Sequence, residues 1–525
     1  MKISNESNNR WYVLATLCVV LFIISIDNTV LNLALPSIST ALNASASQLQ
    51  WIVDTYTLIF ASILITTGTL GDRYGRRKLL IIGLILFGLG SLGAAFSIST
   101  LMLIIFRGIL GIAGALIMPS TLSILNHVFI ERRERAKAFA IWSSIFSIGA
   151  GIGPIVGGLL ISAFHWSSVF FLNVPIVVIG LVGTFLFVPE SKDASTPSPD
   201  FPGVALSVIG LFALIGGTIQ AGEFGWTAPR VLIEFGIAIV FLFGFVMWEK
   251  YSPRPMLPLE FFKIRAFTGA NVALTISAFA MMGSMFFFSQ FLQSVRDYTP
   301  IIAAVGMFPM TISVFSFTML SVRIFHRMGV KFTMSLGLLL MGAALFIFAA
   351  TVGLQTSYWS ILVVQLVLGS GIGLSMSPAT NTIMSSLPPN RAGIGSAMND
   401  TTRQLGGALG IAVLGALSNR VYRAEVSSLS TVSGMSDPIL NMIRGSIQTA
   451  HNAVSTLSGD MATFALNTAK QAFSDGMREA LWVGGAMMVV SALAAWFLLP
   501  NQEDKLNSRP DRLDNIHLEE ETSES

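Results

Sequence analysis

Charged residues and cysteine are scarce in this chain. Only 11% of its 525 residues are charged, whereas about a quarter are charged in an ordinary soluble protein. The single cysteine, Cys18, excludes a disulfide within the chain. Hydrophobic residues make up 53% of the sequence and the mean hydropathy is +0.71. This composition predicts an integral membrane protein.

Sequence motifs of several other function classes are missing. The chain has no Gly-Lys-Ser/Thr phosphate loop, which argues against ATP-driven transport, and no Gly-x-Ser-x-Gly nucleophile motif. Its five histidines are scattered without metal-ligand spacing. Basic residues gather at the borders of apolar runs, which does not suggest nucleic-acid binding. We therefore expect no enzymatic activity, no metal or other cofactor and no nucleic-acid partner.

Apolar runs of about 20 residues, the length that crosses a bilayer as a helix, recur along the chain. Because only helices satisfy their own backbone hydrogen bonds in lipid, open strands are excluded. The predicted fold is an all-α polytopic membrane protein with fourteen spans. Their predicted ranges are 11–34, 50–70, 79–98, 101–125, 137–163, 167–188, 203–220, 231–248, 266–290, 300–322, 332–351, 357–383, 396–418 and 478–499.

The distribution of basic residues predicts the orientation. Loops after even-numbered spans hold clusters of arginine and lysine, whereas the short loops on the other side hold only Arg230 and Arg296. Cytoplasmic loops are the basic ones in membrane proteins, so both termini are expected in the cytoplasm. The first apolar run lacks a secretory cleavage site and is expected to be a retained helix.

Two halves of the chain resemble each other at a nearly constant offset of about 258 residues. Parallel repeats of this kind occur in transporters built from two bundles, with the substrate site between the halves near the midplane. The offset leaves the seventh and eighth spans as an inserted pair between two six-helix bundles. The matching motifs are Arg107-x-x-x-Gly111 with Gln365-x-x-x-Gly369, and Gly149-x-x-x-Gly153 with Gly406-x-x-x-Gly410.

The predicted domains follow from this repeat. They are an N-terminal bundle at residues 1–190, a linker with the inserted pair at 191–262, a C-terminal bundle at 263–500, and a disordered cytoplasmic tail at 501–525.

A long outer loop is predicted at residues 420–476, within the C-terminal bundle. It has amphipathic helical patterning, and Ser436-Asp437-Pro438 and Ser474-Asp475 are typical helix starts. Two interpretations stay open: a solvated connector, or a lid or wall of an outer vestibule.

Four charged residues inside the predicted spans are candidates for a functional role. Asp27, Asp54 and Arg107 fall in the outer half of the N-terminal bundle, where an unpaired charge costs several kcal/mol. Burial favours the neutral carboxyl and a nearby arginine favours the carboxylate, so such an acid can bind and release a proton. Structural capping or pairing is the alternative for each of the three.

Asp400 is the only acid inside a C-terminal span away from its ends. It could pair within its helix with Arg403 or form a salt bridge at the inner mouth. Alternatively, it is an acid that attracts cations or couples to protons in the cavity.

Two glycine-rich motifs are candidates for conformational roles. The first lies in the loop between spans two and three and contains Gly68, Asp72, Arg73, Gly75 and Arg76. It is either a positive-inside anchor or a cytoplasmic latch between the bundles. The second lies in span five, where small residues allow a close helix approach and a proline can kink the helix, giving either tight packing or a hinge. Its residues are Gly149, Gly153, Pro154, Gly157 and Gly158.

These residues resemble the major facilitator superfamily. The 68–78 stretch is similar to the family's loop 2–3 motif, Arg107-x-x-x-Gly-x-x-Gly to its helix 4 motif, and Gly149-x-x-x-Gly-Pro-x-x-Gly-Gly158 to its antiporter motif. The segments from Asp27 to Pro36 and from Trp51 to Tyr56 resemble the fourteen-helix drug:proton antiporter branch, most closely its quaternary-ammonium multidrug exporters. The resemblance covers residues 10–500.

The resemblance implies a proton-coupled multidrug exporter that works by alternating access in the bacterial inner membrane, as a monomer driven by the proton gradient. It implies roles for Asp27, Asp54, Arg107 and Asp400 in proton coupling and in binding lipophilic, cationic substrates. The chain departs from these exporters at Asn399, where they have a second acid, and has no acid at 311–316. Fewer acids favour monovalent or neutral substrates.

Two other functions are weighed beside this one. The first is a dedicated exporter of an endogenous metabolite, lipid or siderophore. The second is a membrane receptor or scaffold that transports nothing, against which the embedded acids and the antiporter-type motif argue.

Overall fold

The computed structural model describes residues 2–192, 200–253, 255, 257, 259–387, 392–432, 435–457 and 459–499. This described part is helical and contains no strand. The helices are α1 (Lys2–Leu42), α2 (Ala46–Tyr74), α3 (Arg76–Ala95), α4 (Thr100–Val128), α5 (Arg132–Ala163), α6 (Ser168–Phe171), α7 (Asn173–Phe187), α8 (Phe201–Phe224), α9 (Pro229–Tyr251), α10 (Arg265–Gln290), α11 (Pro300–Thr351), α12 (Tyr358–Ser385), α13 (Ala392–Val426), α14 (Asp437–Gly445), α15 (Ile447–Val454) and α16 (Gly459–Leu498).

The predicted membrane spans are confirmed as helices. Among the described residues, 13 helical segments are long and apolar enough to cross a bilayer, and α5 corresponds to the remaining predicted span. The tenth and eleventh spans both lie within α11, on either side of Gly329, whose φ is 82°. That backbone conformation favours glycine and separates the two spans.

The turn between α2 and α3 shows how local sequence fixes these helices. Ser45 and Gln48 form a capping box at the start of α2, which satisfies backbone N–H groups that have no partner within the helix. Gly75 ends α2 with φ 117°, and α3 begins at the next residue. Glycine allows this tight turn, because a residue with a Cβ rarely adopts this φ.

Equivalent contacts in the two halves confirm the internal repeat. In the N-terminal half, Arg107 Nε on α4 donates to the Ile52 carbonyl on α2 at 3.0 Å. In the C-terminal half, Gln365 Nε2 on α12 donates to the Gly306 carbonyl on α11 at 2.9 Å. The glycine one turn later in each motif packs on the backbone of the same partner helix. The structure therefore has two related bundles.

The inserted helices α8 and α9 pack against each other, and α8 also contacts both bundles. A buried apolar cluster joins α8 to α2 and α13. Its members are each at most 1% exposed and are Leu58, Ile215, Ile219, Ala408 and Ala412. The inserted pair therefore covers the seam between α2 of one bundle and α13 of the other.

The prediction of a long outer loop at 420–476 is wrong in its extent. Helix α13 continues to Val426 and α16 already begins at Gly459. The helix start at Ser436 is confirmed as the N-cap of α14. The start at Ser474-Asp475 is wrong, because Asp475 lies within α16 and pairs with Gln471 and Arg478 one turn away on either side. Such spacings stabilise a helix interior.

The segment between α13 and α16 lies across one end of both bundles. Gln448 Nε2 on α15 donates to Gln290 Oε1 on α10 at 2.9 Å. On the N-terminal side, Asn452 Nδ2 donates to the Thr40 carbonyl of α1 at 3.0 Å. Because Gln448 is only 2% exposed, α15 is no solvated connector and fits the interpretation as a vestibule wall.

Two predictions concern residues for which structure is not described. Residues 193–199 of the linker and the tail at 501–525 lie outside the described residues. The domain bounds at 1–190, 191–262 and 263–500 stay a prediction.

Candidate functional site

A buried ion pair lies in the core of the N-terminal bundle. Arg107 Nη1 on α4 donates to Asp27 Oδ2 on α1 at 2.6 Å, and the two side chains are 1% and 3% exposed. Asn173 Nδ2 on α7 donates to the other carboxylate oxygen, Oδ1, at 3.1 Å. A buried charge is tolerated when it is paired and hydrogen-bonded, and this carboxylate is both. Two of the predicted site residues are therefore brought into direct contact.

The aromatic ring of Tyr56 completes the surroundings of this pair. The Arg107 guanidinium carbon lies 4.4 Å from the Tyr56 ring centroid, which is within the range of a cation–π contact. The Tyr56 hydroxyl accepts a hydrogen bond from Asn28 Nδ2 at 3.5 Å. The guanidinium is thereby held between α1, α2 and α4.

Asn173 and Tyr56 were not among the residues predicted for the site. The signal for Asn173 was present in the sequence, as a lone amide in an apolar stretch of the sixth span. Tyr56 is the last residue of the segment from Trp51 to Tyr56, which resembles the fourteen-helix branch of the family. Sequence alone did not show that either side chain meets Arg107 or Asp27.

Asp54 has surroundings of a different kind. It lies on α2, is 0% exposed, and neither of its carboxylate oxygens has a hydrogen-bond partner among the described residues. No described residue caps or pairs with this carboxylate, so the alternative of structural capping or pairing finds no support for Asp54. A carboxylate charge here has no compensation, so the surroundings tolerate the neutral acid. Asp54 is a group that could hold a proton.

Asp400 forms its contacts within α13. Its Oδ1 lies 3.4 Å from Arg403 Nη2 and 3.5 Å from Asn399 Nδ2, and the residue is 8% exposed. The interpretation as an intrahelical pair is confirmed. A role for Asp400 in attracting cations stays a prediction.

The loop between α2 and α3 makes its described contacts within the N-terminal bundle. Asp72 Oδ1 pairs with Arg76 Nε at 2.7 Å. The Glu190 carboxylate accepts from the backbone N–H groups of Arg77 and Lys78 at 3.1 and 3.2 Å, and so caps α3. Arg73 lies over the neighbouring Tyr74 ring, at 5.8 Å. The cytoplasmic latch between the bundles stays a prediction.

The glycines of α5 form a flat face against α1. A Cβ on Gly149 would lie 2.7 Å from the Ser25 side chain, and one on Gly153 would lie 2.0 Å from Thr29 Oγ1. Gly157 packs in the same way on Val30. These distances confirm the close helix approach predicted from the small residues. Helix α5 thus contacts α1 at residues that precede and follow Asp27 in the sequence.

A second face of α5 contacts the other bundle. Gly151 approaches Thr311, and Gly158 approaches the backbone of Ile301 and the Ala304 side chain, all on α11. Helix α5 continues unbroken through Pro154. One helix thus links α1, which carries Asp27, to the C-terminal bundle.

Replacing Gly153 with alanine is expected to lower stability by about 1–3 kcal/mol, because overpacking forces neighbouring helices apart. Thermal unfolding of the detergent-solubilised protein measures this change. Gly236→Ala on α9 is the matched control, since nothing lies within 4 Å of its Cβ position. An equal effect in the two variants would contradict the tight α1–α5 contact.

Two related helical bundles in a membrane, with a charged pair buried in one of them, define a membrane transporter. The chain belongs to the Major Facilitator Superfamily, whose family model matches residues 17–411.

Curated relatives extend over nearly the whole chain. It is 34% identical over 484 residues to the multidrug efflux pump LfrA of Mycolicibacterium smegmatis, covering 92% of this chain and 95% of that protein. It is 30% identical to the methyl viologen resistance protein SmvA of Salmonella typhimurium, with 93% and 98% covered. It is also 30% identical to the tetracenomycin C resistance and export protein of Streptomyces glaucescens, with 93% of that protein covered.

Solved structures share the fold. A bacterial homolog of the human lysosomal transporter Spinster, in an inward-facing and unoccupied conformation, superposes with a TM-score of 0.64 at 16% identity, covering 93% of this chain and 97% of the other. A D-xylose-proton symporter gives a TM-score of 0.60 at 16% identity, covering 94% and 98%. At such identities these likenesses concern the fold alone.

Proposed function

We propose that this protein is a proton-coupled multidrug exporter, which exchanges lipophilic, cationic compounds for protons by alternating access. The observation that carries the proposal is the buried Asp27–Arg107 pair, together with the Asp54 carboxyl on the neighbouring helix, which has no hydrogen-bond partner among the described residues. Acids at this depth are costly and functional by default. The named efflux and resistance proteins among its relatives supply the class of substrate.

Protonation of Asp27 would change how the bundles pack. The neutral acid loses its attraction to the Arg107 guanidinium, which lies 2.6 Å away. Helix α1 carries Asp27 and packs through Ser25 and Thr29 on the glycine face of α5. Because the opposite face of α5 contacts α11, a shift of α1 is passed to the C-terminal bundle.

Proton entry supplies enough energy for this exchange. One elementary charge that crosses a potential of 100 mV releases about 2.3 kcal/mol. We propose that protons enter from the outside, that Asp27 and Asp54 hold them, and that no bound cofactor takes part. Asp400 and its neighbours would contact the substrate from the C-terminal bundle.

The proposed setting is the bacterial inner membrane, with both termini in the cytoplasm and a monomer as the working unit. The basic loops after even-numbered spans support this orientation. Neither enzymatic activity nor nucleic-acid binding forms part of the proposal.

A dedicated exporter of one endogenous compound is the second candidate. The relative from Streptomyces glaucescens is named for resistance to and export of a single compound, which favours this candidate. The two candidates are separated by expressing the protein in a pump-deficient bacterium and testing growth against a panel of substrates. A multidrug exporter raises tolerance to several unrelated lipophilic cations. The alternative of a receptor or scaffold finds no support among the relatives.

Ethidium efflux from energised membrane vesicles tests the proposed function. We expect the wild-type protein to move ethidium against its gradient and to stop when an uncoupler collapses the proton gradient. Vesicles without the protein are the control. Efflux that continues unchanged after the gradient has collapsed would rule out proton coupling.

A further inference from the structure

The inserted helix pair carries an acid that the proposed exchange does not use. Glu234 lies on α9, five residues after that helix begins at Pro229, which is roughly 8 Å along a helix at 1.5 Å per residue. Helix α9 is long and apolar enough to cross a bilayer. An acid within such a helix is costly and functional by default. The surroundings of this carboxyl therefore decide what it can do.

Gln220 on the neighbouring helix α8 is the hydrogen-bond partner of Glu234. Its Nε2 donates to Glu234 Oε1. The other two oxygens of the pair, Glu234 Oε2 and Gln220 Oε1, are buried and have no hydrogen-bond partner among the described residues. Both are acceptors while the acid is ionised, so neither can satisfy the other. A proton on Glu234 Oε2 supplies the donor that this pair lacks.

The arginines near this end of the inserted pair are engaged elsewhere. Arg230 lies one turn before Glu234 on α9, but its guanidinium carbon lies 4.3 Å from the ring centroid of Phe224. Arg423 of α13 pairs with Glu223 at the end of α8, at 3.2 Å. Within the described part of the chain, neither arginine forms a salt bridge with Glu234. Because an unpaired carboxylate is costly in the membrane, these surroundings favour the neutral acid.

Glu234 also lies beside α2, the helix that carries Asp54. A Cβ on Gly216 of α8 would lie 3.2 Å from Glu234 Oε2 and 3.2 Å from Trp51 Cζ2 of α2. The acid and the indole therefore approach the same point on α8, which the missing side chain leaves free. The Trp51 ring also stacks on Phe212 of α8, with centroids 6.0 Å apart and an interplanar angle of 18°. Since Trp51 lies less than one turn before Asp54, the contact joins the inserted acid to that part of α2.

We propose that Glu234 is a further proton-binding residue of the transport cycle, and that losing its proton loosens the contact between Trp51 and α8. The proposal rests on the proposed function, since it requires a cycle that takes up and releases protons. The neutral acid packs against Gly216 and Trp51 without an uncompensated charge. The carboxylate has no described cation to pair with, so it draws water between α8 and α2 and frees α2 to move with Asp54. The inserted pair is then part of the proton machinery as well as a cover.

Chemical labelling of the wild-type protein tests the proton site directly. Dicyclohexylcarbodiimide is apolar and adds to protonated carboxyl groups, and mass spectrometry of peptides locates the adduct. We expect Glu234 to be modified, and the modification to fall at least about fivefold from acidic to alkaline medium, because only the neutral acid reacts. Glu223, whose carboxylate pairs with Arg423, is the internal control and should stay unmodified. An unmodified Glu234, or the same modification of both acids at every pH, would overturn the proposal.

Transport by two variants tests the role in the cycle. In Glu234→Gln we expect gradient-driven ethidium efflux to fall at least about tenfold, while counterflow without a gradient stays within about twofold, because an amide cannot release a proton. Glu234→Asp keeps a carboxyl and is the matched control, so it should retain most of the coupled efflux. Wild-type efflux in Glu234→Gln would contradict the role. An equal loss of efflux and counterflow, or an equal loss in both variants, would show that the side chain is only structural.

The wild-type protein separates the two kinds of failure. If its ethidium efflux does not depend on the proton gradient, the proposed function fails. If efflux depends on the gradient and Glu234 is neither modified nor needed for coupling, only the further proton site fails. The labelling needs no variant, so it decides the question even where Glu234→Gln does not fold.

Discussion

Asp27→Asn is expected to abolish gradient-driven efflux of ethidium. The asparagine keeps the size of the side chain and removes the charge that faces Arg107 at 2.6 Å. A proton can then no longer be exchanged at this position. Because the partner guanidinium is left buried and unpaired, stability should also fall, by about 3–5 kcal/mol. Efflux from vesicles and thermal unfolding in detergent measure the two effects.

Loss of stability could by itself stop transport, so a double variant is needed. Asp27→Asn combined with Arg107→Gln removes both charges and should recover most of the stability, because no unpaired ion remains. It should still fail to couple efflux to protons. Proton-driven efflux by the double variant would remove Asp27 from its proposed role. Asp475→Asn, at a partly exposed pair within α16, is the matched control and should transport normally.

Asp54→Asn is expected to stop proton-driven efflux with little change in stability. The carboxyl is 0% exposed and has no hydrogen-bond partner among the described residues, so the substitution breaks no ion pair. We expect active efflux to fall at least about tenfold, as in the loss of one necessary proton-transfer group. The unfolding free energy should stay within about 1 kcal/mol.

Counterflow distinguishes a lost proton carrier from a lost binding site. With ethidium on both sides of the membrane and no gradient, the Asp54→Asn protein should still exchange labelled for unlabelled compound. Asp460→Asn in the first turn of α16 is the control. Active efflux retained at the wild-type rate would show that Asp54 does not carry the coupled proton.

The Asp27 and Asp54 substitutions are therefore expected to differ in their effects on transport and stability. Asp27 has a full set of partners, so its loss affects both transport and stability. Asp54 has none in the described part of the chain, so its loss should affect transport alone. The difference follows from the surroundings of each carboxyl, since both residues are aspartates in the same bundle.

Much of the fold follows from the sequence because it depends on neighbours along the chain. The length of each apolar run sets a membrane span, and the glycine at Gly75 sets a turn. The repeat was visible because Arg107 and Gln365 keep the same place in equivalent helices. The outer loop was misjudged where helices α13 and α16 continue beyond the membrane, since a polar surface helix and a solvated loop have similar composition.

The site itself depended on residues far apart in the sequence. Asn173 meets Asp27 across 146 positions and Arg107 meets it across 80. Hydropathy locates a charge in a span but does not show which face of the helix it occupies. For this reason the sequence identified Asp27, Asp54 and Arg107 as candidates without showing that two are paired and one is not.

The inserted pair, α8 and α9, also shows which features the sequence determines and which the packing decides. The repeat offset placed two extra helices between the halves, because counting spans requires only the chain order. That α8 lies on α2 and α13, with Glu223 bound to both, was decided by tertiary packing. Helix–helix contacts in lipid depend on matching surfaces of distant segments, which no local pattern specifies. The sequence thus determined the number and kind of elements, and the packing decided which carboxyl is paired and where the inserted pair lies.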